Sequence, residues 1–345
     1  MVSRAAYFNE GLRVVGHHWW RRGSEFVWRD SLNDTTCHVN VTDRTIAVEN
    51  ERTLRIADAG QPDGIPVLVQ RGTPQSRLLY HRWVEDAQSR GIRLIGYERP
   101  GYGGSTRHRG RTVASAAKDV AAIAKELGLN RLLVWGVSGG GPHALACAAL
   151  LPGLVVAAAA LGSIAPYPAE GLDYYAGMGE DNVADIKAVL KGGETHRQAV
   201  EASAAKLLHA DLETLTRAME SLLCQGDTAA LTTDFADFVL RSVREGIGET
   251  RDGIIDDDIA LIAQWGFELS QIQVPALLMH GERDLFVPVS HSKWLATKIP
   301  NVETRFLPED GHLTLSLRYI PEIHAWLLDK LSAYSPGCHQ GLGTK

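Results

Sequence analysis

The stretch that decides the fold is residues 132–142, which read LLVWGVSGGGP. An apolar run of strand length leads into Gly-x-Ser-x-Gly at positions 136–140, and an alanine-rich helix is predicted over Pro142 to Leu151. A strand, a tight turn centred on serine and a helix are together typical of a nucleophile elbow, which exposes the serine hydroxyl. Gly136 and Gly140 leave room for the turn, and Gly139 offers a backbone N–H beside the positive end of the helix dipole. We therefore predict that Ser138 is a nucleophile.

A phosphate-binding turn is the main alternative for the same glycines. The dinucleotide pattern Gly-x-Gly-x-x-Gly is not met, because Ser138 stands where the second glycine would be. The acidic residue expected about 20 positions later is missing, since alanines occupy positions 157–160. The lysine of a P-loop is also missing from the turn. The pattern favours the elbow.

A serine hydroxyl needs a base to activate it, and the base needs an acid to orient it. Where this elbow occurs, the chain order is serine, then Asp or Glu, then His. Asp284 and His312 each follow the end of a predicted strand, and active groups of open α/β sheets gather at the carboxyl ends of strands. We predict Asp284 as the orienting acid and His312 as the base, with Glu282 and Asp310 as alternatives for the acid.

The oxyanion hole requires a second N–H donor from the turn after an early strand. Residues 67–74 read VLVQRGTP and fit that position. Gly72 would let the chain turn back over the serine, so that the N–H of Thr73 joins the N–H of Gly139. A simple turn at the end of a strand is the alternative interpretation.

The remaining sequence from residue 45 alternates strands and helices. The strands predicted from apolar runs are Thr45–Val48, Arg52–Ala57, Ile65–Val69, Arg93–Tyr97, Leu132–Trp135, Val155–Leu161, Ala276–Met279 and Glu303–Leu307. Helices are predicted over Leu78–Ser89, Ser115–Leu127, Pro142–Leu151, His291–Thr297 and Ile320–Leu331. Continuous apolar strands suit a sheet covered on both faces, so the fold class is α/β with a doubly wound, mostly parallel sheet.

Residues 166–270 interrupt this alternation and are called the insert below. Five consecutive helices are predicted there: Asp181–Leu190, Arg197–Leu208, Leu212–Leu223, Thr228–Val243 and Ile254–Trp265. The insert holds 20 acidic and 8 basic residues, a net charge of −12 in a chain whose formal net charge is −6. We interpret the excess as a solvated acidic face. The predicted domains are a core of residues 45–165 and 271–335, the helical insert, a loosely ordered extension over 1–44, and a tail over 336–345.

Composition limits the class of protein. The chain has 345 residues, of which 45% are hydrophobic and 22% charged, as in an ordinary globular protein. The negative net charge argues against binding nucleic acid through its phosphates. No apolar run is long enough for a membrane span, and no secretory signal is visible. Four scattered cysteines without a CxxC pattern are therefore read as reduced thiols, and the expected location is the cytoplasm.

Taken together, these motifs resemble the α/β-hydrolase fold superfamily, in its small-molecule serine hydrolase branch. The matching stretches are RGTP at 71–74, ERPGYGGS at 98–105, the elbow at 136–140, GERDLFVP at 281–288 and GH at 311–312. The resemblance implies an eight-stranded sheet with one antiparallel pair at its start, a helical cap and no cofactor or metal. Two departures stand out. The family commonly has His where this chain has Arg71, and this difference bears on how the oxyanion turn is braced. The family also commonly has Asp where this chain has Glu98.

The expected reaction is hydrolysis of a small carboxylic ester through an acyl-enzyme, with a small molecule as the substrate. A proline-releasing aminopeptidase is one alternative, and a ligand receptor or scaffold with little turnover is another. Ser138 is inconsistent with the epoxide hydrolases and dehalogenases of this fold, which use Asp at the elbow. We expect a monomer or homodimer without nucleic-acid or membrane partners. Candidate pocket residues are the insert's large side chains Tyr167, Tyr174, Tyr175, Met178, Phe235, Phe238 and Trp265.

Overall fold

A computed structural model describes residues 41–334 in full and the backbone of residues 17–22 and 25–30. Its centre is one sheet of ten strands in the order β1-β2-β3-β4-β6-β5-β7-β8-β9-β10. The strands are β1 His17–Arg22, β2 Glu25–Asp30, β3 Val41–Val48, β4 Arg52–Ala59, β5 Ile65–Gln70, β6 Ile92–Tyr97, β7 Leu132–Val137, β8 Val155–Leu161, β9 Ala276–Gly281 and β10 Val302–Leu307. Strands β3 to β10 form the predicted eight-stranded, mostly parallel sheet, so the α/β fold class is confirmed.

Strand β4 supplies the antiparallel part of these eight strands, because it runs antiparallel to both β3 and β6. From β6 to β10 every pairing is parallel. The carboxyl ends of the central strands therefore lie at one edge of the sheet, as the placement of the candidate site residues requires.

Helices cover both faces of the sheet because successive side chains of a strand point to opposite sides. In β7, Leu133 and Trp135 belong to the hydrophobic core on one face, and Leu132 and Val134 belong to the core on the other face. Helices α1 (His81–Ser89) and α12 (Ile320–Ala333) contribute buried residues to the first core. The second core is completed by α2 Ser115–Glu126, α3 Gly140–Leu150 and α10 Val289–Ala296.

The insert lies between β8 and β9 and is helical, with two short 3-10 helices at Glu220–Leu222 and Leu269–Gln271. Its α-helices are α4 Glu180–Lys191, α5 Gly193–Leu208, α6 Leu212–Ala218, α7 Gln225–Ala230, α8 Asp234–Ile247 and α9 Asp252–Ile262. One predicted helix, Thr228–Val243, is wrong, because the structure divides it between α7 and α8. The hydroxyl of Thr233 accepts a hydrogen bond from the N–H of Phe235 and caps α8, which begins a new helix there. Helix α11 (Leu313–Arg318) follows β10.

The structure describes only residues 17–22, 25–30 and 41–44 of the N-terminal segment, so the loosely ordered extension expected over residues 1–44 stays a prediction. Strands β1 and β2 pair antiparallel, β2 joins β3 through Phe26 and Val41, and β3 begins before the predicted boundary. The predicted tail over 336–345 lies outside the described residues, as do Cys37 and Cys338. Cys147 and Cys224 are free thiols. None of the helices in the described part combines the length and the apolar character needed to cross a bilayer.

Candidate active site

The turn at residues 136–140 places Ser138 in a strained backbone conformation. Ser138 follows β7 with a φ of 55°, a left-handed conformation that is uncommon for a residue with a side chain. Its backbone N–H donates to the carbonyl of Leu161 at 2.8 Å, which holds the turn against β8. A Cβ on Gly136 would lie 2.2 Å from the carbonyl oxygen of Gly140, so a side chain at 136 would not fit. The turn therefore requires glycine where the motif has it.

The predicted acid and base are in direct contact. The Nδ1 of His312 lies 2.6 Å from Oδ2 of Asp284, and both residues are buried. The other carboxylate oxygen, Oδ1, accepts backbone N–H groups of Phe286 and Val287, each at 2.9 Å. Because a carboxylate only accepts, Nδ1 of His312 carries the proton and Nε2 presents a lone pair. This is the tautomer that a general base needs.

The alternative acids have other partners. Glu282 contacts Lys293 at 3.4 Å and is largely exposed, and Asp310 accepts from Arg318 and from the hydroxyl of Tyr319. Neither carboxylate forms a hydrogen bond with His312 in the described part of the chain.

The electrostatic interaction between Asp284 and His312 shifts the pKa of both groups towards their charged forms. Burial by itself would raise the pKa of the Asp284 carboxyl, but the charge of His312 and hydrogen bonds from His280 and His312 bring its pKa well below the usual value. Burial by itself would lower the pKa of His312, but the carboxylate of Asp284 raises it above its ordinary value. The carboxylate thus favours the imidazolium that forms when His312 accepts a proton.

Two further groups fix the position of His312. The ring of Phe286 stacks on the imidazole, with centroids 4.6 Å apart and an interplanar angle of 20°. Asp227, at the start of α7 in the insert, is fully buried and accepts the backbone N–H groups of His312, Leu313 and Thr314 at 2.9, 2.7 and 3.0 Å. Its carboxylate therefore caps the N-terminus of α11 and anchors the loop that carries His312.

The predicted oxyanion turn lies against the serine. A Cβ on Gly72 would lie 3.2 Å from Cβ of Ser138, and a Cβ on Gly139 would lie 2.6 Å from Oγ1 of Thr73. The backbone N–H groups of Thr73 and Gly139 donate to no other group in residues 41–334. Two free N–H donors from neighbouring turns beside Ser138 have the arrangement that an oxyanion hole needs.

A buried carboxylate of the insert braces this turn. Asp257, in α9, is fully buried, and its Oδ2 accepts from Oγ1 of Thr73 and from the hydroxyl of Tyr102, each at 2.8 Å. It also pairs with Arg99 and with Arg111. Arg99 in turn donates to the carbonyl of Arg71, just before the turn. The groups that brace the turn are thus Asp257 and Arg99. The guanidinium of Arg71 instead packs on the rings of Trp83 and Phe238.

A cavity of about 360 Å³ opens onto the site and is lined by Ser138, His312 and the oxyanion turn. Of the seven large side chains expected to line it, Met178 and Phe235 do so. The other five are placed differently: for example, the hydroxyl of Tyr174 donates to the carbonyl of Ala165, and Trp265 stacks on Phe267. Three carboxylates of the insert also line the cavity, namely Asp181, Asp185 and Asp258. In the described part of the chain, no cluster of three or more potential ligands could hold a metal ion.

A family model described as the alpha/beta hydrolase fold matches residues 65–319. The chain belongs to the α/β hydrolase fold family. The AB hydrolase superfamily protein YisY of Bacillus subtilis is 25% identical over 269 residues, which cover 77% of this chain and 91% of that protein.

Solved structures of the family share the fold. A thermophilic esterase from Thermogutta terrifontis has a TM-score of 0.60 and 20% identity, over 84% of this chain and 99% of that chain. The esterase RhEst1 from Rhodococcus sp. ECU1013 has a TM-score of 0.60 and 21% identity, over 83% and 98%.

The main residues that sequence reasoning missed are Asp227 and Asp257. Both belong to the acidic excess of the insert, which we interpreted as a solvated face. That interpretation suits Glu213, which is largely exposed, but it is wrong for these two carboxylates, which have no exposed surface. The run of three aspartates at 256–258 in α9 was the available signal for Asp257, because three consecutive helical residues cannot all lie on the solvent-exposed face.

The pH dependence of activity should report the Asp284–His312 pair. Because His312 must be neutral to accept a proton, kcat/KM should rise with pH and reach half its maximum above 6.5, the ordinary pKa of histidine. Asp284→Asn removes the negative charge that raises the pKa of His312, whereas the burial that lowers this pKa remains. The midpoint of the pH profile should therefore move to lower pH, and kcat should fall on the order of 10⁴-fold. Glu282→Gln is the matched control and should keep the wild-type profile. A shifted profile in Glu282→Gln with an unchanged one in Asp284→Asn would contradict the assignment.

Removal of the charge of Asp257 should destabilise the whole chain. Asp257→Asn leaves Arg99 and Arg111 buried without their carboxylate, which should lower the free energy of unfolding by about 3–5 kcal/mol. The free energy of unfolding is measured by chemical denaturation, with tryptophan fluorescence as the signal. Glu213→Gln removes an exposed carboxylate paired with Arg217 and should change stability by less than about 1 kcal/mol. Equal effects of the two substitutions would show that the buried cluster does not stabilise the fold.

Proposed function

We propose that this protein is a serine hydrolase that cleaves a small carboxylic ester through an acyl-enzyme intermediate. The observation that carries the proposal is the buried Asp284–His312 pair, whose base lines the same cavity as the strained Ser138. The cavity has the size of a small-molecule site and a largely apolar wall. The esterases among the structures of similar fold are compatible with this chemistry.

In the first half-reaction, Nε2 of His312 accepts the proton of the Ser138 hydroxyl as Oγ attacks the ester carbonyl carbon. Asp284 stabilises the imidazolium that forms. The negative charge on the former carbonyl oxygen is bound by the N–H groups of Gly139 and Thr73, each worth roughly 2–4 kcal/mol of the barrier. The intermediate then collapses, the bond to the alcohol oxygen breaks, and His312 returns its proton to the leaving alcohol.

The second half-reaction uses the same groups with water as the nucleophile. His312 accepts a proton from the water as its oxygen attacks the acyl carbon. The bond to Oγ of Ser138 breaks, the proton passes back to Oγ, and the carboxylic acid leaves. The two half-reactions together consume one ester and one water and return Ser138 and His312 to their starting protonation states.

An aminopeptidase of the proline-releasing type is the second candidate. The observation in its favour is that Asp181, Asp185 and Asp258 line the cavity, because carboxylates there suit a free amine. One contact weakens that interpretation, because Asp258 already pairs with His196 at 2.9 Å.

Covalent labelling tests the nucleophile. A fluorophosphonate probe should label the wild-type protein at one site per chain, measured by intact mass, and Ser138→Ala should remain unlabelled. Ser203→Ala removes another serine of the same cavity and should label like the wild type. An inert wild-type chain would instead support a ligand receptor with the same fold.

A substrate panel tests the ester preference. p-Nitrophenyl esters of increasing acyl length should be hydrolysed, with kcat/KM highest for short chains because the cavity is small. Proline p-nitroanilide, assayed in parallel, should be cleaved far more slowly. Cleavage of the anilide with the esters left intact would replace the proposal by the aminopeptidase.

A further inference from the structure

His143 is a buried histidine beside the candidate oxyanion hole, and the proposed reaction does not use it. It lies in the first turn of α3, is 1% exposed, and places its Nδ1 2.7 Å from the carbonyl oxygen of Gly139. Because a carbonyl oxygen only accepts, Nδ1 carries the proton and Nε2 presents a lone pair. The imidazole thus donates to the same residue whose N–H is the oxyanion donor of the elbow.

The backbone around this donor lacks side chains that could fix it. Residues 139–141 are three consecutive glycines. A Cβ on Gly139 would lie 2.6 Å from Oγ1 of Thr73, and a Cβ on Gly140 would lie 2.1 Å from a carbonyl oxygen of β5, so packing requires glycine at both positions. Glycine has more conformational freedom than any other residue. The hydrogen bond from His143 restrains the first residue of this run.

The other nitrogen of His143 faces the buried carboxylate that braces the second donor. Nε2 lies 3.9 Å from Oδ1 of Asp257, whose Oδ2 accepts from Oγ1 of Thr73. Nε2 is buried and forms no hydrogen bond in residues 41–334. The imidazole therefore lies between Gly139 on one side and the support of Thr73 on the other.

The imidazole of His143 acts as a neutral hydrogen-bond donor. Burial, and then the positive charge of Arg99, lower the pKa of His143 to about 3, so the group is uncharged near neutral pH. Its buried Nε2 without a partner lowers the stability of the fold, and an apolar side chain of similar size would avoid that cost. The hydrogen bond to Gly139 is the interaction that an apolar side chain at this position could not provide.

We propose that His143 is a positioning residue of the oxyanion hole, which fixes the backbone of Gly139 so that its N–H points to the developing negative charge. The proposal rests on the proposed function, since it concerns the oxyanion of that reaction. His143 is itself buried and acts through Gly139. Donors that are fixed in advance stabilise the transition state more than the bound ester, because they need no reorganisation when the charge forms. Loss of this hydrogen bond should therefore lower kcat and leave KM nearly unchanged.

A pair of substitutions with the same shape tests the proposal. The amide nitrogen of asparagine can take the place of Nδ1, whereas leucine has the same branched shape without a donor. With a p-nitrophenyl ester as the substrate, His143→Leu should lower kcat about 10- to 100-fold with little change in KM. His143→Asn should keep kcat within about threefold of the wild type, because it restores the donor.

Stability measurements separate positioning from a structural role. The free energy of unfolding of His143→Leu should stay close to that of the wild type, because the lost hydrogen bond is offset by removal of the unpartnered Nε2. Lower stability with an unchanged kcat per folded molecule would overturn the proposal, and so would an equal loss of kcat in His143→Asn and His143→Leu. His143→Gln, whose amide nitrogen reaches the place of Nε2 instead of Nδ1, should show the same loss of kcat and replaces His143→Leu if that variant does not fold.

His324→Leu is the matched control. His324 lies on α12, is also a fully buried histidine with an unpartnered Nε2, and pairs through Nδ1 with Asp86 outside the cavity. Its substitution should leave kcat per folded molecule unchanged. A loss of kcat in His324→Leu equal to that in His143→Leu would show that any buried histidine has this effect, which would reject the specific role of His143.

The rate of covalent labelling distinguishes failure of this inference from failure of the proposed function. The phosphoryl oxygen of a fluorophosphonate probe gains negative charge in the same oxyanion hole, so His143→Leu should be labelled about 10- to 100-fold more slowly than the wild type and His143→Asn at nearly the wild-type rate. If esters stay intact but this difference is seen, ester hydrolysis fails and the role of His143 stands. Equal labelling of the two variants and the wild type would reject the role of His143 alone. A wild-type chain that neither hydrolyses esters nor reacts with the probe would reject both.

Discussion

A single carboxylate without contact to water, that of Asp257, holds the insert and the oxyanion turn together. It accepts hydrogen bonds from Thr73 and Tyr102 and pairs with Arg99 and Arg111, so it joins four separate points of the core to α9. Burial would raise its pKa, but the charges of Arg111 and Arg99 keep the pKa well below the usual value. The two arginines therefore favour the ionised carboxylate, and the turn is held by charge-assisted contacts.

The insert also holds the other half of the site, through Asp227. Its carboxylate caps α11 and thereby sets the position of the loop that carries His312. The contacts of Asp227 and Asp257 account for part of the acidic excess of the insert, since these two carboxylates face N–H groups and arginines of the core. These contacts couple the packing of the insert to the positions of Thr73 and His312.

The parts of this site that could be predicted are those encoded locally. Strand, Gly-x-Ser-x-Gly and helix are adjacent in the sequence, and the positions of Asp284 and His312 follow from strand ends that meet at one edge of a parallel sheet. The contacts of the two buried aspartates could not be predicted, because Thr73 and Asp257 are 184 positions apart and His312 and Asp227 are 85 positions apart. Periodicity reports which face of a helix is apolar, but it does not report which buried carboxylate meets which arginine.

The same limit explains why the role of the residue before the oxyanion turn was predicted incompletely. At the level of sequence, Arg71 in place of a common histidine suggested a change in how the turn is braced. In the structure Arg99 braces the turn through the backbone carbonyl of Arg71, which leaves the Arg71 side chain free of that task. Arg99 and Arg111 share the carboxylate of Asp257, so the turn is braced by one buried cluster of charges that joins Thr73 to α9.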